Sequence, residues 1–137
     1  MKRIMVFGTF DILHEGHLNF FKQARDLDPD PQLIVSIARD SSTQRVKGER
    51  PKNNELFRMK EVEASALVDE VVLGDKEGFI QHIIDAHPDI IALGYDQASE
   101  YVRDLAAELS KAGMETRIIR LKAFKPHIYK TSKLQRL

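Results

Sequence analysis

Five short, nearly unbroken apolar runs constrain this chain more than any other feature: Ile4–Phe7, Leu33–Ala38, Glu70–Leu73, Ile90–Leu93 and Arg117–Leu121. Helical patterns fill the gaps, at His17–Leu27, Glu55–Ala66, Phe79–Ala86 and Glu100–Ala112, with a last short helix expected near Ser132. Continuous apolar stretches such as Leu33-Ile34-Val35 and Ile90-Ile91-Ala92-Leu93 belong to strands covered on both faces, since a strand with one wet face alternates. Strands that alternate with helices can pair in parallel only through right-handed crossovers. The expectation is an α/β fold with a five-stranded parallel sheet. A chain of 137 residues fits it as one domain spanning 1–137.

Breakers fall where the connections should be: Asp28-Pro29-Asp30-Pro31 after the first helix, and Pro88 before the fourth strand. The longest stretch without periodicity, Arg39–Asn53, reads as an irregular binding loop. Lys+Arg and Asp+Glu both total 21, for a formal net charge of +0, which argues against an extended nucleic-acid interface. No apolar run is long enough for a membrane span. Met1-Lys2-Arg3 leads into the first strand without a secretory h-region. With no cysteine, thiolate chemistry and Cys-based zinc sites are excluded. The expected setting is cytoplasmic.

In open α/β sheets ligands gather beyond the carboxyl ends of the strands, at the switch in strand order. Four segments follow strand ends: Gly8–His17, Arg39–Asn53, Gly94-Tyr95-Asp96-Gln97 and Phe124–Ser132. The first is the most informative. A tight turn between a buried strand and a helix start aims backbone N–H groups and the positive end of the helix at one point, which favours an anion. His14 and His17, three positions apart, share a face there. His-Glu-Gly-His lacks the H-E-x-x-H spacing of a zinc site, so phosphate is the better ligand. His82, His87 and His127 show no such grouping and read as surface or hydrogen-bonded histidines.

The other segments each carry two readings. Asp96, just past a strand end, either meets a ribose or base or closes its own turn. Thr131 and Ser132 suit both a phosphate-binding helix start and plain N-capping, with Lys130 beside them. Phe124 and Tyr129 either stack on a ligand ring or pack in the core. Arg45, Lys47 and Arg50 form a small basic cluster, followed by Arg58 on the next helix.

Gly8-Thr9-Phe10-Asp11 followed by His14-x-Gly16-His17 resembles the signature of the cytidylyltransferase-like, or H-x-G-H, nucleotidyltransferases. Ala38-Arg39-Asp40, Lys47-Gly48, Leu73-Gly74-Asp75, Ala92–Gln97 and Lys130-Thr131-Ser132-Lys133 extend the likeness over the whole chain, to the archaeal FAD synthases in particular. Glycerol-3-phosphate cytidylyltransferases are close cousins. The resemblance implies a Rossmann-like doubly wound sheet, and transfer of AMP from ATP to FMN with release of pyrophosphate. It implies that Thr9, Phe10, His14, Glu15, Gly16 and His17 hold the nucleotide phosphates, with His17 stabilising the transition state. It further assigns Lys47 and Arg58 to the phosphates, and Asp96, Phe124, Thr131 and Ser132 to the nucleotide site. A divalent cation, Mg²⁺ first, would bridge phosphate oxygens, and a homodimer is the family habit. Two departures are visible: there are no cysteines near the C-terminus, and Glu15 stands where a proline or aromatic residue is usual. The rival readings are a cytidylyl- or adenylyltransferase acting on glycerol 3-phosphate or a sugar phosphate, and a nucleotide-binding regulatory module without turnover.

Overall fold

The computed structural model describes residues 1–95, 97 and 99–122, with side chains throughout except at 45–47 and 99–101. The elements run β1 (Lys2–Gly8), α1 (Glu15–Arg25), β2 (Pro31–Ile37), α2 (Asp40–Lys47), α3 (Glu55–Glu63), β3 (Glu70–Leu73), α4 (Gln81–Ala86), β4 (Ile90–Leu93), α5 (Ser99–Lys111) and β5 (Arg117–Arg120). All five strands pair in parallel in the order β3-β2-β1-β4-β5. The chain winds outward from β1 to β3, then returns to lay β4 on the other side of β1 and continues to β5. That reversal opens a crevice at the carboxyl ends of β1 and β4, where an open α/β sheet takes its ligand.

The period of two within each strand sorts side chains between two cores. Ile4, Val6, Leu33, Val35 and Ile37 pack with Phe21 and Ala24 of α1 and Val62 of α3 on one face. Met5, Ile34, Ile91 and Leu93 pack with Ile83 of α4 and with Leu105 and Leu109 of α5 on the other. Burial of each such Leu or Ile side chain contributes about 1.5–3 kcal/mol. Both faces of the central strands are therefore dry, as their continuous apolar runs require. The doubly wound five-stranded expectation holds.

Most boundaries differ from the sequence reading by a residue or more, and two of the differences have a visible cause. The stretch Arg39–Asn53 is not an irregular loop, because its first half is helix α2. The sequence Asp-Ser-Ser-Thr-Gln-Arg-Val-Lys offers no apolar stripe, so nothing periodic marks it. What holds it is polar: Thr43 Oγ1 donates to Arg39 O at 3.1 Å, Asp40 N donates to Glu55 Oε1 at 2.9 Å, and Gly48 ends it in the left-handed region at φ 83°. Helix α1 begins at Glu15, earlier than its apolar pattern, because the His14 imidazole caps it. Helix α3 stops at Glu63, short of Ala66. The helix expected near Ser132 lies outside the described residues.

Candidate active site

The turn that leaves β1 is built from four consecutive residues with four different duties. Gly8 continues the ladder, accepting from Ala38 N at 3.0 Å. Thr9 presents its carbonyl inward, where Arg58 Nη1 donates to it at 2.7 Å. Phe10 adopts φ 52°, a left-handed conformation costly to any residue with a Cβ. Asp11 is buried and clamps the segment ahead of α3: its carboxylate accepts from Lys52 N at 2.8 Å and Asn53 N at 2.9 Å, while Asn53 Nδ2 donates to Asp11 O at 2.8 Å.

Arg58 completes this frame. Its side chain is 0% exposed, the largest fully buried residue in the molecule's described part. Nη2 meets Asp40 Oδ1 at 2.7 Å and Nε donates to Asn53 O at 3.0 Å. Asp40 Oδ2 in turn accepts from Glu55 N at 3.1 Å. A single guanidinium thereby ties the β1 turn, the start of α2 and the start of α3 together. A charge so deeply buried is tolerable only when paired and hydrogen-bonded on every side. This geometry places the Arg58 side chain behind the turn, supporting it, rather than in the crevice.

The two histidines stand in front of the frame. His14 Nδ1 accepts from Gly16 N at 3.1 Å, so the neutral ring carries its proton on the buried Nε2. The His17 ring stacks on it, with centroids 3.8 Å apart and planes 23° from parallel. His17 Nδ1 is buried and has no hydrogen-bond partner among the described residues. Burial lowers the pKa of both rings. For His17 it falls from 6.5 to about 3, through burial first and the neighbouring His14 second. At neutral pH the pair is uncharged. An arriving phosphate would oppose both causes, since a nearby negative charge favours the protonated ring.

Glu15 is exposed in the first turn of α1, a favourable end of the helix for a carboxylate. At the exit of β4, Gly94 N donates to Gln97 Oε1 at 2.8 Å, and Arg120 Nη1 donates to Gly94 O at 2.8 Å and to Tyr95 O at 3.2 Å, so this turn is held from β5. The structure therefore brings Thr9, Phe10, His14, Glu15, Gly16, His17 and Arg58 into one cluster. The Lys47 side chain, Asp96, Phe124, Thr131 and Ser132, with His127, Tyr129 and Lys130, lie outside the described residues. Lys122 exchanges hydrogen bonds with Gln23 of α1, its N donating at 3.1 Å and its O accepting at 3.0 Å, which fixes where the last segment departs.

Sequence reasoning passed over Asp11, Asp40 and Asn53. Asp11 sits inside the motif, so its position was visible but its clamp was not. Asp40 and Glu55 cap each other across fifteen positions, a pairing that no local pattern announces. Among the described residues no three His, Asp or Glu side chains gather to hold a metal ion, and both Asp11 oxygens are already occupied by backbone N–H groups.

Comparison with known proteins agrees with this geometry. The cytidylyltransferase-like family model matches residues 5–137. An FAD synthase of Aciduliprofundum boonei is 41% identical over 124 residues, covering 90% of this chain and 80% of that protein. An FAD synthase of Thermococcus sibiricus is 40% identical over 134 residues, covering 96% and 88%. A crystal structure from Thermoplasma volcanium, named a lipopolysaccharide core biosynthesis protein, superposes with a TM-score of 0.83 at 34% identity, over 91% of this chain and 99% of that one. With its paired histidines at the switch point of a β3-β2-β1-β4-β5 sheet, and the family model spanning all but its first four residues, the chain belongs to the cytidylyltransferase-like family.

Proposed function

We propose that this protein is an FMN adenylyltransferase, an FAD synthase. The observation that carries the reading is the 40–41% identity to proteins named FAD synthase over at least 90% of the chain, with the Gly8–Asp11 turn and both histidines in place. In the reaction an FMN phosphate oxygen forms a bond to the α-phosphorus of ATP. The bond from that phosphorus to the bridging oxygen of the β-phosphate breaks, and pyrophosphate leaves. Nothing is oxidised or reduced. Chemistry of this kind asks the protein for positioning and charge neutralisation rather than a nucleophile.

The frame of Asp11, Asp40 and Arg58 supports that task by holding the turn rigid before substrate arrives. His14 offers a donor at Nε2. His17, neutral when empty, would gain a proton or a strengthened hydrogen bond as charge develops on the phosphates. Lys47, Asp96, Phe124, Thr131 and Ser132 are proposed to complete the nucleotide site. Mg²⁺ accompanying ATP would be held mainly by phosphate oxygens and water. It would neutralise phosphate charge.

A homodimer is proposed as well. Leu56 and Phe57 of α3 are large apolar side chains left exposed, as a subunit contact would need. A cytoplasmic setting fits, and no described helix is long and apolar enough to cross a membrane.

The test is pyrophosphate release with ATP or CTP crossed against FMN, glycerol 3-phosphate and sugar phosphates. The Thermoplasma protein's name keeps sugar phosphates in the panel. ATP with FMN is expected to give the strongest signal. Turnover confined to CTP and glycerol 3-phosphate would overturn the acceptor assignment, and ATP binding without any turnover would favour the regulatory module. Light scattering on the same sample should give twice the 15.7 kDa of one chain.

A further inference from the structure

The resemblance assigns Phe10 to the nucleotide phosphates, but its ring is turned the other way, 5% exposed and packed inside the protein. Three contacts define it. The ring meets Phe21 at 5.4 Å between centroids, tilted by 52°. It meets His17 edge to face, at 5.2 Å and 75°. And it fills the space above Gly8: a Cβ added there would lie 2.6 Å and 2.7 Å from two of its carbons. Gly8 has no positive φ, so backbone freedom is not why it is glycine. The Phe10 ring is.

From this juxtaposition we infer that Phe10 is a positioning residue whose ring, wedged between Gly8 and His17, holds the His17 imidazole in the attitude that meets the phosphates. His17 is then bounded on two sides, stacked on His14 at 3.8 Å and abutted by Phe10. Its Nδ1 has no hydrogen-bond partner among the described residues, and these two ring contacts are what bound it there. The left-handed backbone at Phe10 is the conformation that sends the ring inward. It costs about 1–3 kcal/mol and persists only when the surroundings over-determine it. Here they do: Arg58 grips Thr9 O on one side of the residue and Lys52 and Asn53 grip Asp11 on the other. The strain, the glycine and the buried ring together serve one imidazole.

The inference rests on the FAD synthase reading only for the reaction it measures. Two variants test it. Phe10→Leu removes the ring's edge, and Gly8→Ala keeps the ring but displaces it. Each is expected to lower kcat for FAD formation at least tenfold while leaving the KM for ATP within about threefold, the pattern of a lost transition-state interaction. The three heavy atoms nearest the methyl group that Gly8→Ala adds all belong to the Phe10 ring. In the Phe10→Leu background the same substitution should therefore cost about twofold or less, a strong non-additivity between touching residues. The second readout needs no turnover. In NMR spectra of histidine-labelled protein, the ring resonances of His17 should move in both variants while those of His82 stay in place. Unmoved His17 resonances, or a kcat within twofold of the parent in either single variant, would overturn the inference. If the parent itself makes no FAD, the function is wrong and the His17 resonances alone decide the role of Phe10. Should Phe10→Leu not fold, Gly8→Ala carries the same two readouts.

Discussion

Two histidine clusters stand on opposite faces of this sheet, and they are built on opposite principles. On the α4 face His82 is fully engaged: Nε2 lies 2.9 Å from Ser36 Oγ, Nδ1 lies 2.7 Å from Asp75 Oδ2, and its backbone N–H donates to the same carboxylate. Burial alone raises the Asp75 carboxyl, but the hydrogen bonds from the His82 side chain and backbone outweigh it and hold the group below the usual carboxylate range. On the α1 face His17 keeps a buried ring nitrogen without a partner among the described residues, and its pKa is driven to about 3. A network satisfied at every atom has nothing left for a ligand and serves to fasten a loop. A buried polar atom left open costs about 1–3 kcal/mol, a cost that folding alone gives no reason to bear. The contrast separates a histidine that fastens a loop from the one proposed to meet the phosphates.

The widest gap between the clusters should appear in turnover. His17→Gln is expected to lower kcat for FAD formation about 10²–10³-fold, the usual effect of losing one electrostatic stabiliser, while the melting temperature holds or rises. His82→Gln should leave turnover within about threefold and lower stability by about 1–3 kcal/mol, since it unmakes buried hydrogen bonds. Steady-state assays and thermal melts on the two variants decide it. A stable His17→Gln enzyme with normal turnover would erase the distinction.

Arg58 tests the same division from within the α1 face, because resemblance assigns it to the phosphates while its contacts are those of a fastener. Arg58→Met should cost about 3–5 kcal/mol in urea unfolding, the penalty for stripping the partly buried Asp40, Thr9 O and Asn53 O of their partner. Should the variant keep its stability and lose only turnover, the guanidinium would be acting on substrate and the frame would have another support.

The fold was legible because its signal is local and repeated. Each strand announced itself as an apolar run, and β1, β2 and β4 are apolar for the plain reason that both their faces are covered. The Gly8–His17 junction was legible because strand, turn and helix start lie next to one another in sequence. What could not be read is what arises between distant segments. The α2 helix is held by Glu55 and Gly48 rather than by an apolar stripe. The Arg58 guanidinium reaches back forty-nine positions to Thr9, and the resemblance that singled Arg58 out from Arg50 gave it a place at the phosphates, not these contacts. Phe10 shows the limit most clearly: its presence in the motif was plain, but its direction depends on a backbone angle that sequence does not reveal.

The two clusters should also part in pH dependence, in different windows. His17 has a folded pKa below its unfolded value of 6.5, so between 6.5 and about 3 the unfolded chain binds more protons than the folded one. Stability therefore falls as the pH drops through that window and is fully present above it. Asp75 is also depressed, but from 3.8, so its contribution is complete above that value and fades only as the pH falls below it through the folded value. Urea unfolding between pH 8 and pH 3 should thus show His17→Gln with a flatter profile than the parent from about 6.5 downward. Asp75→Asn should run parallel to the parent from pH 8 to about 4, lower by about 1.5–3 kcal/mol, and approach it only as the pH falls further. Parallel profiles for His17→Gln and the parent would mean that His17 keeps an ordinary pKa in the folded protein, and that its burial does not discriminate against charge. The unpartnered nitrogen would then be open to water, and the two histidines would differ in exposure rather than in purpose.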